Sequence, residues 1–329
     1  MAGSAADNVG NQSGGWTLSW QGQSGDVPGG TSILAGIKQV APNATVIYSL
    51  DASAPTAGSQ VGIVAVGDTP YAEGMGDVGV NGHTLQLSTA DRNAVDTVCA
   101  AMKCVVLDVS GRPLDLTGVV PEATAVVASW LPGSEGEGVA DTLFGNKAFT
   151  GRLPVTWMKA ESQLPMDVGD PNYDPLYPYG WGLRTDSERA RLQTVRAQLQ
   201  GHAGNAAAIS ALNAALAAKV WAADGSVANA TAALPLLRKI AVAMANKAKY
   251  SFAQQDLVVS VARDLAQAAV VAHGTGAMKA TATLTSNAEH LVMSNQPVPA
   301  IDAFSKARAA ALKVRPKQLK TGPAEPPAR

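Results

Sequence analysis

Short apolar runs rich in β-branched residues alternate with segments of helical periodicity over the first half of this chain. The runs lie at residues 45–49, 62–66, 105–109 and 125–130, and the helical segments lie at 32–40, 89–102 and 135–144. This alternation predicts βα units and a mainly parallel sheet. Because the runs are almost continuously apolar, both faces of the sheet should be covered. We therefore predict an α/β fold, a three-layer α/β/α sandwich, over residues 1–184.

The pattern changes at Thr185, where alanine-rich sequence with apolar residues three and four apart predicts amphipathic helices. Two serine–acidic or serine–amide pairs match the capping box that starts a helix. These pairs are Ser251 with Gln254 and Ser286 with Glu289. We predict an all-α bundle of four to six antiparallel helices over residues 185–314, with a role that the sequence does not define.

Charge and aromatic content place a domain boundary at the same point. Residues 1–183 carry 7 Lys and Arg against 18 Asp and Glu, and residues 184–329 carry 18 against 8. The basic side chains of the second half are dispersed between alanines and form no run, so a nucleic-acid partner is not expected. The last segment, residues 315–329, has four prolines and no apolar period, which predicts a disordered tail.

No run of about 18 apolar residues is present, so we expect no transmembrane helix. The start of the chain lacks the basic and apolar regions of a signal peptide. Instead, Met1 leads directly into a segment that reads like the end of a strand followed by a loop. We therefore expect that further sequence belongs upstream of this chain.

The loop at residues 67–77 is the first candidate for chemistry. It follows a predicted buried strand, and ligands of open parallel sheets bind beyond the carboxyl ends of the strands. Asp68, Glu73 and Asp77 lie within it, with glycines near Glu73 that allow close approach of the backbone. A general acid could be presented here. The alternatives are a solvated acidic loop and a calcium site made by the three carboxylates.

A second loop, residues 8–16, combines amides, glycines and an aromatic ring. Carbohydrate sites use this mixture, because a sugar face stacks on an aromatic ring while amides bond the hydroxyl groups. Asn11, Gln12 and Trp16 are the candidates. Trp16 and Trp20 could instead be core residues, as most tryptophans are. The glycines do not match the spacing of a phosphate-binding P-loop, and no lysine follows them.

Metal and cofactor sites are not indicated by the remaining residues. The two cysteines, Cys99 and Cys104, are too few for a zinc site. They could close a short disulfide loop, which would imply an oxidising compartment, or remain two buried thiols. The four histidines are scattered and suggest neither a metal cluster nor a catalytic triad.

Six segments of residues 1–184, in the same order, resemble the second, α/β-sandwich domain of family 3 glycoside hydrolases of the β-glucosidase and exo-β-glucanase type. The segments are AGSAADNVGNQSGGWTLSWQG, VGDTPYAEGMGD, SGRP, WLPGSEGEGVADTLFG, FTGRLPVTW and YDPLYPYGWGL. The resemblance implies a retaining hydrolase of β-D-glucosides or β-glucans, acting from the non-reducing end, in which two carboxyl groups lie about 5 to 5.5 Å apart.

The resemblance also implies roles for individual residues. Glu73, in PYAEG, stands where the family places its acid/base, and Trp16, in GGW, stands where an aromatic ring clamps the sugar. The predicted substrate-binding residues are Trp16, Asn11, Gln12, Tyr71 and Asp77. Cys99 and Cys104 match a short disulfide of similar enzymes, which implies a secreted or periplasmic protein.

One part of the family's machinery is missing from this sequence. The nucleophilic aspartate of the family lies on a (β/α)8 barrel domain, in a Ser-Asp-Trp or similar string, and no such string occurs here. We expect the isolated chain to be inactive, with a barrel domain as its partner in cis or in trans. The alternative is a non-catalytic sugar-binding or scaffolding protein, and a nucleotide-binding flavodoxin-like domain is a third, weaker interpretation.

Overall fold

The computed structural model describes residues 1–80, 82–245 and 249–315, which divide into two compact units. The first unit, which we call the sandwich unit, comprises Met1–Ala148 and Trp157–Pro165. The second, the helical unit, comprises Phe149–Thr156 and the described residues from Met166 onward. The tail predicted at 315–329 lies, from residue 316, outside the described residues.

A parallel sheet forms the centre of the sandwich unit. Its strands are β1 (Gly62–Gly67), β2 (Cys104–Val109) and β3 (Ala125–Ala128), in the order β1-β2-β3. Val64 is paired with Val106, and Val106 with Val126. Ala2 adds an isolated parallel bridge to Val64 on the free side of β1. The parallel sheet predicted from the alternating pattern is therefore confirmed.

Helices cover both faces of this sheet. They are α2 (Ile33–Val40), α3 (Thr89–Ala101) and α4 (Gly136–Leu143), and a short helix, α1 (Val9–Ser13), precedes them in the chain. Ile33 and Ile37 of α2 and Ala140 of α4 pack with Ala65 and Leu107 of the strands. Alternate strand residues point to the opposite face, against which α3 packs. Three layers result, as the sequence predicts.

The prediction of a strand at residues 45–49 is wrong. The segment belongs to no strand. Two backbone hydrogen bonds join it to the first residue of the chain, since the Met1 amino group donates to the Ile47 carbonyl at 2.6 Å and Ser49 N–H donates to the Met1 carbonyl at 3.2 Å. Because it has so few partners, the segment does not form the consecutive backbone hydrogen bonds of a strand.

A disulfide joins the last turn of α3 to the start of β2. Cys99 and Cys104 are bonded, with their Cα atoms 5.1 Å apart. The predicted bridge is thereby confirmed. It closes the tight connection through which the chain passes from the helical layer into the sheet.

The helical unit contains six helices among the residues that the structure describes. They are α5 (Glu188–Leu199), α6 (Ala206–Ala217), α7 (Ala230–Ala243), α8 (Phe252–His273), α9 (Thr275–Met293) and α10 (Pro297–Ala311). Their apolar faces meet in one core around Leu212, Leu237, Ile240, Val261 and Phe304. Within the described ranges, no helix is both long and apolar enough to cross a membrane.

One of the two predicted capping boxes is present in the structure and the other is not. Ser251 caps α8 and forms the reciprocal bonds with Gln254, as predicted. Ser286 and Glu289 lie inside α9 instead, and both side chains are buried. Glu289 accepts from Arg263 Nε at 2.5 Å and from Arg152 Nη1 at 2.7 Å. Glu289 is therefore a buried ion-pairing residue and not a capping residue, which the local sequence does not reveal.

Residues 149–156 and 166–184 pack with the helices. Trp181 is buried against Val270 and Ala277, and the Tyr173 hydroxyl lies 3.0 Å from Thr156 Oγ1 and 3.1 Å from Ser286 Oγ. The composition changes near residue 184, whereas the packing assigns these earlier segments to the helical unit.

Candidate functional site

The loop that carries Glu73 leaves the carboxyl end of β1 in close contact with β2. A Cβ atom built on Gly67 would lie 1.9 Å from the Val109 carbonyl oxygen, so only glycine fits there. The next residue continues the pairing, since Asp68 N–H donates to the Val109 carbonyl at 3.1 Å. The start of the loop is therefore fixed by the sheet itself.

Arg112 anchors the rest of this loop. Its Nε donates to Asp68 Oδ2 at 3.1 Å, and its Nη1 donates to the Gly76 carbonyl at 2.5 Å. The guanidinium carbon lies 4.3 Å from the centre of the Tyr71 ring, a cation–π contact. Arg112 thus joins the two ends of the loop. Arg112 belongs to the SGRP string, but no role was predicted for it from that string.

Tyr71, predicted to bind substrate, supports the loop from within. One face of its half-buried ring is covered by Arg112, and His83 contacts it edge-on at 5.7 Å between ring centres. Burial raises the pKa of the Tyr71 hydroxyl. These contacts make Tyr71 a packing residue of the loop.

Glu73 lies at the surface, and its carboxylate is held by an indole. Trp20 Nε1 donates to Glu73 Oε2 at 2.6 Å. The Trp20 hydrogen bond is the largest influence on Glu73 and lowers the pKa of its carboxyl group, and the Trp16 indole adds a smaller effect in the same direction. Trp20 belongs to the same matching string as Trp16, but nothing in that string marks it as a partner of Glu73.

The two tryptophans form an exposed aromatic pair beside Glu73. Trp16 is 70% exposed and Trp20 is 54% exposed, with ring centres 6.4 Å apart. The chain between them turns tightly, because Trp16 N–H donates to the Trp20 carbonyl at 2.9 Å. The structure therefore brings together Glu73 and Trp16, which are 57 positions apart in the sequence.

Close backbone contact makes this juxtaposition possible. A Cβ atom built on Gly15 would lie 2.1 Å from the Tyr71 carbonyl oxygen. Gln21 continues the contact, since its Oε1 accepts from Ala72 N–H at 2.8 Å and its Nε2 donates to the Glu73 carbonyl at 3.3 Å. The loop at 14–22 and the loop at 67–77 are thus joined along both backbones.

Asn11 and Gln12, also predicted to bind substrate, are buried on helix α1. Gln12 Nε2 donates to the Thr31 and Gly133 carbonyls at 3.1 Å each, and its Oε1 accepts from Ile33 N–H at 2.8 Å. Asn11 Oδ1 accepts from Ser24 Oγ at 2.7 Å. Both amides hold neighbouring loops in place, so the candidate site excludes them.

The other carboxylates of the loop differ in environment. Asp77 is exposed, whereas Asp68 is bound to Arg112. Within the described residues, no three His, Cys, Asp or Glu side chains are grouped so that they could hold a metal ion. The calcium alternative therefore lacks its ligand set in the part of the chain that the structure describes.

A buried carboxyl group lies beneath the site, at the end of β2. Burial raises the pKa of Asp108 to about 8. Its Oδ2 accepts from Ser110 Oγ at 3.1 Å, while its Oδ1 has no hydrogen-bond partner. A protonated Asp108 suits this environment, since a buried charge without a partner is costly.

The fold and the site together define an α/β sandwich that presents an exposed carboxylate beside two exposed aromatic rings. A family model described as the glycosyl hydrolase family 3 C-terminal domain matches residues 1–185. The chain therefore belongs to glycosyl hydrolase family 3 through its C-terminal domain.

Two of its relatives are β-glucosidases. The lysosomal β-glucosidase of Dictyostelium discoideum is 31% identical over 215 residues, which cover 56% of this chain and 25% of that protein. The periplasmic β-glucosidase of Salmonella typhimurium is 28% identical over 148 residues, 38% of this chain and 19% of that protein.

A solved structure shares the fold of the matched part. The exo-1,3/1,4-β-glucanase ExoP from a Pseudoalteromonas species is 35% identical, with a TM-score of 0.50, over 56% of this chain and 24% of that chain. This chain thus spans about a quarter of the length of the first of these relatives and of ExoP.

Proposed function

We propose that this chain supplies the acid/base half of a retaining β-glucosidase or exo-β-glucanase. In this proposal Glu73 protonates the departing sugar oxygen and then activates water, while Trp16 stacks on the sugar. Asp77, exposed in the same loop, is the remaining polar candidate for the sugar hydroxyls. The observation that carries the proposal is the exposed Glu73 carboxylate, held beside the exposed rings of Trp16 and Trp20.

The nucleophile must come from elsewhere. A (β/α)8 barrel domain, in cis or in trans, would supply an aspartate about 5 to 5.5 Å from Glu73 in a retaining site. Positioning of the sugar contributes a large part of such a rate enhancement. The chain by itself should therefore be inactive. The disulfide and the periplasmic and lysosomal relatives support a secreted or periplasmic location.

The acid step needs a carboxyl group that is protonated near neutral pH. Glu73 is fully exposed in this chain, and the Trp20 hydrogen bond lowers its pKa. Covering the loop with a barrel domain and a sugar would remove water from the carboxylate, and desolvation raises the pKa of an acid. In this proposal the acid form thus depends on assembly of the complete site.

The test is complementation with a family 3 barrel domain that retains its nucleophile. We expect hydrolysis of an aryl β-glucoside by the mixture and none by this chain alone. In the mixture, Glu73→Gln should reduce turnover of disaccharides, which have poor leaving groups, by about 10²- to 10⁴-fold, the usual contribution of a general acid. Dinitrophenyl glucoside should be affected much less in the first step.

The matched control is Glu122→Gln, which removes a surface carboxylate that pairs with Arg92. This variant should behave like the unchanged chain on both substrates. Equal losses in the first, bond-cleaving step on disaccharide and dinitrophenyl glucoside for Glu73→Gln would contradict the acid role.

A second candidate is a sugar-binding protein without catalysis, which the exposed pair of Trp16 and Trp20 favours. Calorimetry with laminari- and cello-oligosaccharides would detect binding to the chain alone. If the sugar stacks on the Trp16 ring, Trp16→Ala should abolish the heat of oligosaccharide binding. Binding by the chain together with no activity in the mixture would favour this candidate over the hydrolase.

A further inference from the structure

The turn between Trp16 and Gly22 holds Glu73 by both its side chain and its backbone. The Trp20 indole binds the carboxylate, and the Gln21 amide binds the backbone on either side of the Ala72–Glu73 peptide. We propose that Trp20 and Gln21 are positioning residues for Glu73, with Trp20 fixing the carboxylate and Gln21 fixing the loop that carries it. This inference rests on the proposed function for its catalytic meaning, but its geometry can be tested separately.

Three hydrogen bonds define the clamp. The bond from Trp20 Nε1 to Glu73 Oε2 is 2.6 Å long and involves a charged acceptor, the stronger kind of hydrogen bond. Gln21 uses both ends of its amide, accepting from Ala72 N–H at 2.8 Å and donating to the Glu73 carbonyl at 3.3 Å. An exposed glutamate would otherwise sample several rotamers, so these bonds select one position.

The backbone of the turn adds a second observation. Trp16 and Leu18 have φ values of 62° and 60°, in the left-handed region that residues other than glycine rarely adopt. Such conformations cost free energy and occur preferentially at functional sites. Here they let the turn close through the bond from Trp16 N–H to the Trp20 carbonyl, which aims both indoles towards Glu73.

The electrostatic effect of the clamp suits one half of the reaction. Trp20 lowers the pKa of Glu73 and so favours the carboxylate, the form that accepts a proton from water when the glycosyl-enzyme is hydrolysed. The acid form required earlier depends on desolvation in the assembled site. Trp20 therefore lowers the proton affinity of Glu73 in the free chain, whereas desolvation in the assembled site would raise it.

The test uses the full chain and needs no activity. Indole N–H resonances are recorded by ¹H–¹⁵N NMR between pH 3 and 8, with Trp20→Phe assigning the Trp20 peak. The Trp20 indole should shift in a single step at the Glu73 midpoint, and Glu73→Gln should remove that step. In Trp20→Phe, the Glu73 carboxyl midpoint should rise towards the ordinary glutamate pKa, about 4.3.

Trp221→Phe is the matched control, because Trp221 Nε1 donates to the Ala215 carbonyl in the helical unit. It should leave the Glu73 midpoint unchanged. An unshifted midpoint in Trp20→Phe, or a Trp20 indole that does not respond to pH, would overturn the role of Trp20 whatever the complementation assay gives.

Gln21 is tested by hydrogen exchange. Gln21→Ala should speed exchange of the Ala72 amide, while the amides of β1 keep their protection. Gln86→Ala is the control, since the Gln86 amide bonds a different side chain, Asp115. Unchanged exchange at Ala72 would overturn the role of Gln21. If both tests succeed and complementation fails, the clamp stands and the hydrolase proposal does not.

Discussion

Asp108 shows how one buried residue can control the pH dependence of stability. Its pKa is raised to about 8 in the folded chain, against about 3.9 for an unfolded Asp. Between these values the folded state binds more protons than the unfolded state. The contribution of Asp108 therefore becomes less favourable as pH rises from about 4 to 8.

Asp108→Asn should remove this loss, because the amide stays neutral at every pH. We expect the variant to gain stability relative to the unchanged chain as pH rises, by on the order of a few kcal/mol at pH 8. Urea unfolding at several pH values between 5 and 8 measures the difference. Asp51→Asn, at an exposed carboxylate, should show a constant difference over that range. A constant difference for Asp108→Asn as well would mean that Asp108 is ionised when folded.

Residues also differ in how well the sequence predicts their roles. Glu73 and Trp16 were each assigned a site role from the matching strings, and the structure brings the two side chains together. Asn11 and Gln12 belong to the same string as Trp16, yet their amides face the interior. A string of residues does not record which side chains point outward from a short helix such as α1.

Among the elements, helices α8 and α9 are joined by a buried ion pair. Arg263 is fully buried, and Glu289 is 1% exposed. Arg263 binds both carboxylate oxygens of Glu289, through Nε at 2.5 Å and Nη2 at 3.0 Å, and Arg152 binds Oε2. Removing one member of such a group leaves a buried charge with too few partners.

Glu289→Gln should therefore destabilise the helical unit by about 3–5 kcal/mol. The measurement is chemical unfolding followed by circular dichroism at 222 nm. Asp302→Asn provides the comparison, because Asp302 and its partner Arg238 are 44% and 52% exposed, and exposed pairs contribute about 0–1 kcal/mol. Similar losses in the two variants would contradict the importance of burial.

At the scale of the whole molecule, the family domain and the compact units divide the chain differently. The family model ends at residue 185, but residues 149–156 and 166–184 pack with the helices. Trp181 is buried there among Ala269, Val270 and Ala311. We propose that the helical region completes the packing of the end of the family domain.

A chain ended after Thr185 should consequently lose order in residues 166–184. Hydrogen exchange measured by mass spectrometry should show these peptides unprotected in the shortened chain and protected in the full one. Peptides around Trp157, which is buried in the sandwich unit and donates to the Leu114 carbonyl at 2.7 Å, should keep their protection in both. Full protection of 166–184 without the helices would refute this dependence.

The sequence by itself determined the parallel sheet, its covering helices and the helical second half, whereas the disulfide was implied only by the family resemblance. Local patterns suffice for these features, because hydrophobic periodicity reflects burial within single elements. The segment at 45–49 had the pattern of a strand but too few partners to form one. Pairing depends on residues distant in sequence, which a local pattern does not contain.

Only the tertiary structure decided the details of the site. Three contacts join residues that are 26 to 53 positions apart in the sequence. They are the hydrogen bonds of Trp20 with Glu73, of Arg112 with Gly76 and of Arg263 with Glu289. Such contacts arise when loops at the ends of neighbouring strands, or faces of neighbouring helices, are packed together. These contacts depend on which residues lie close together in space, and the spacing of residues along the chain does not show this.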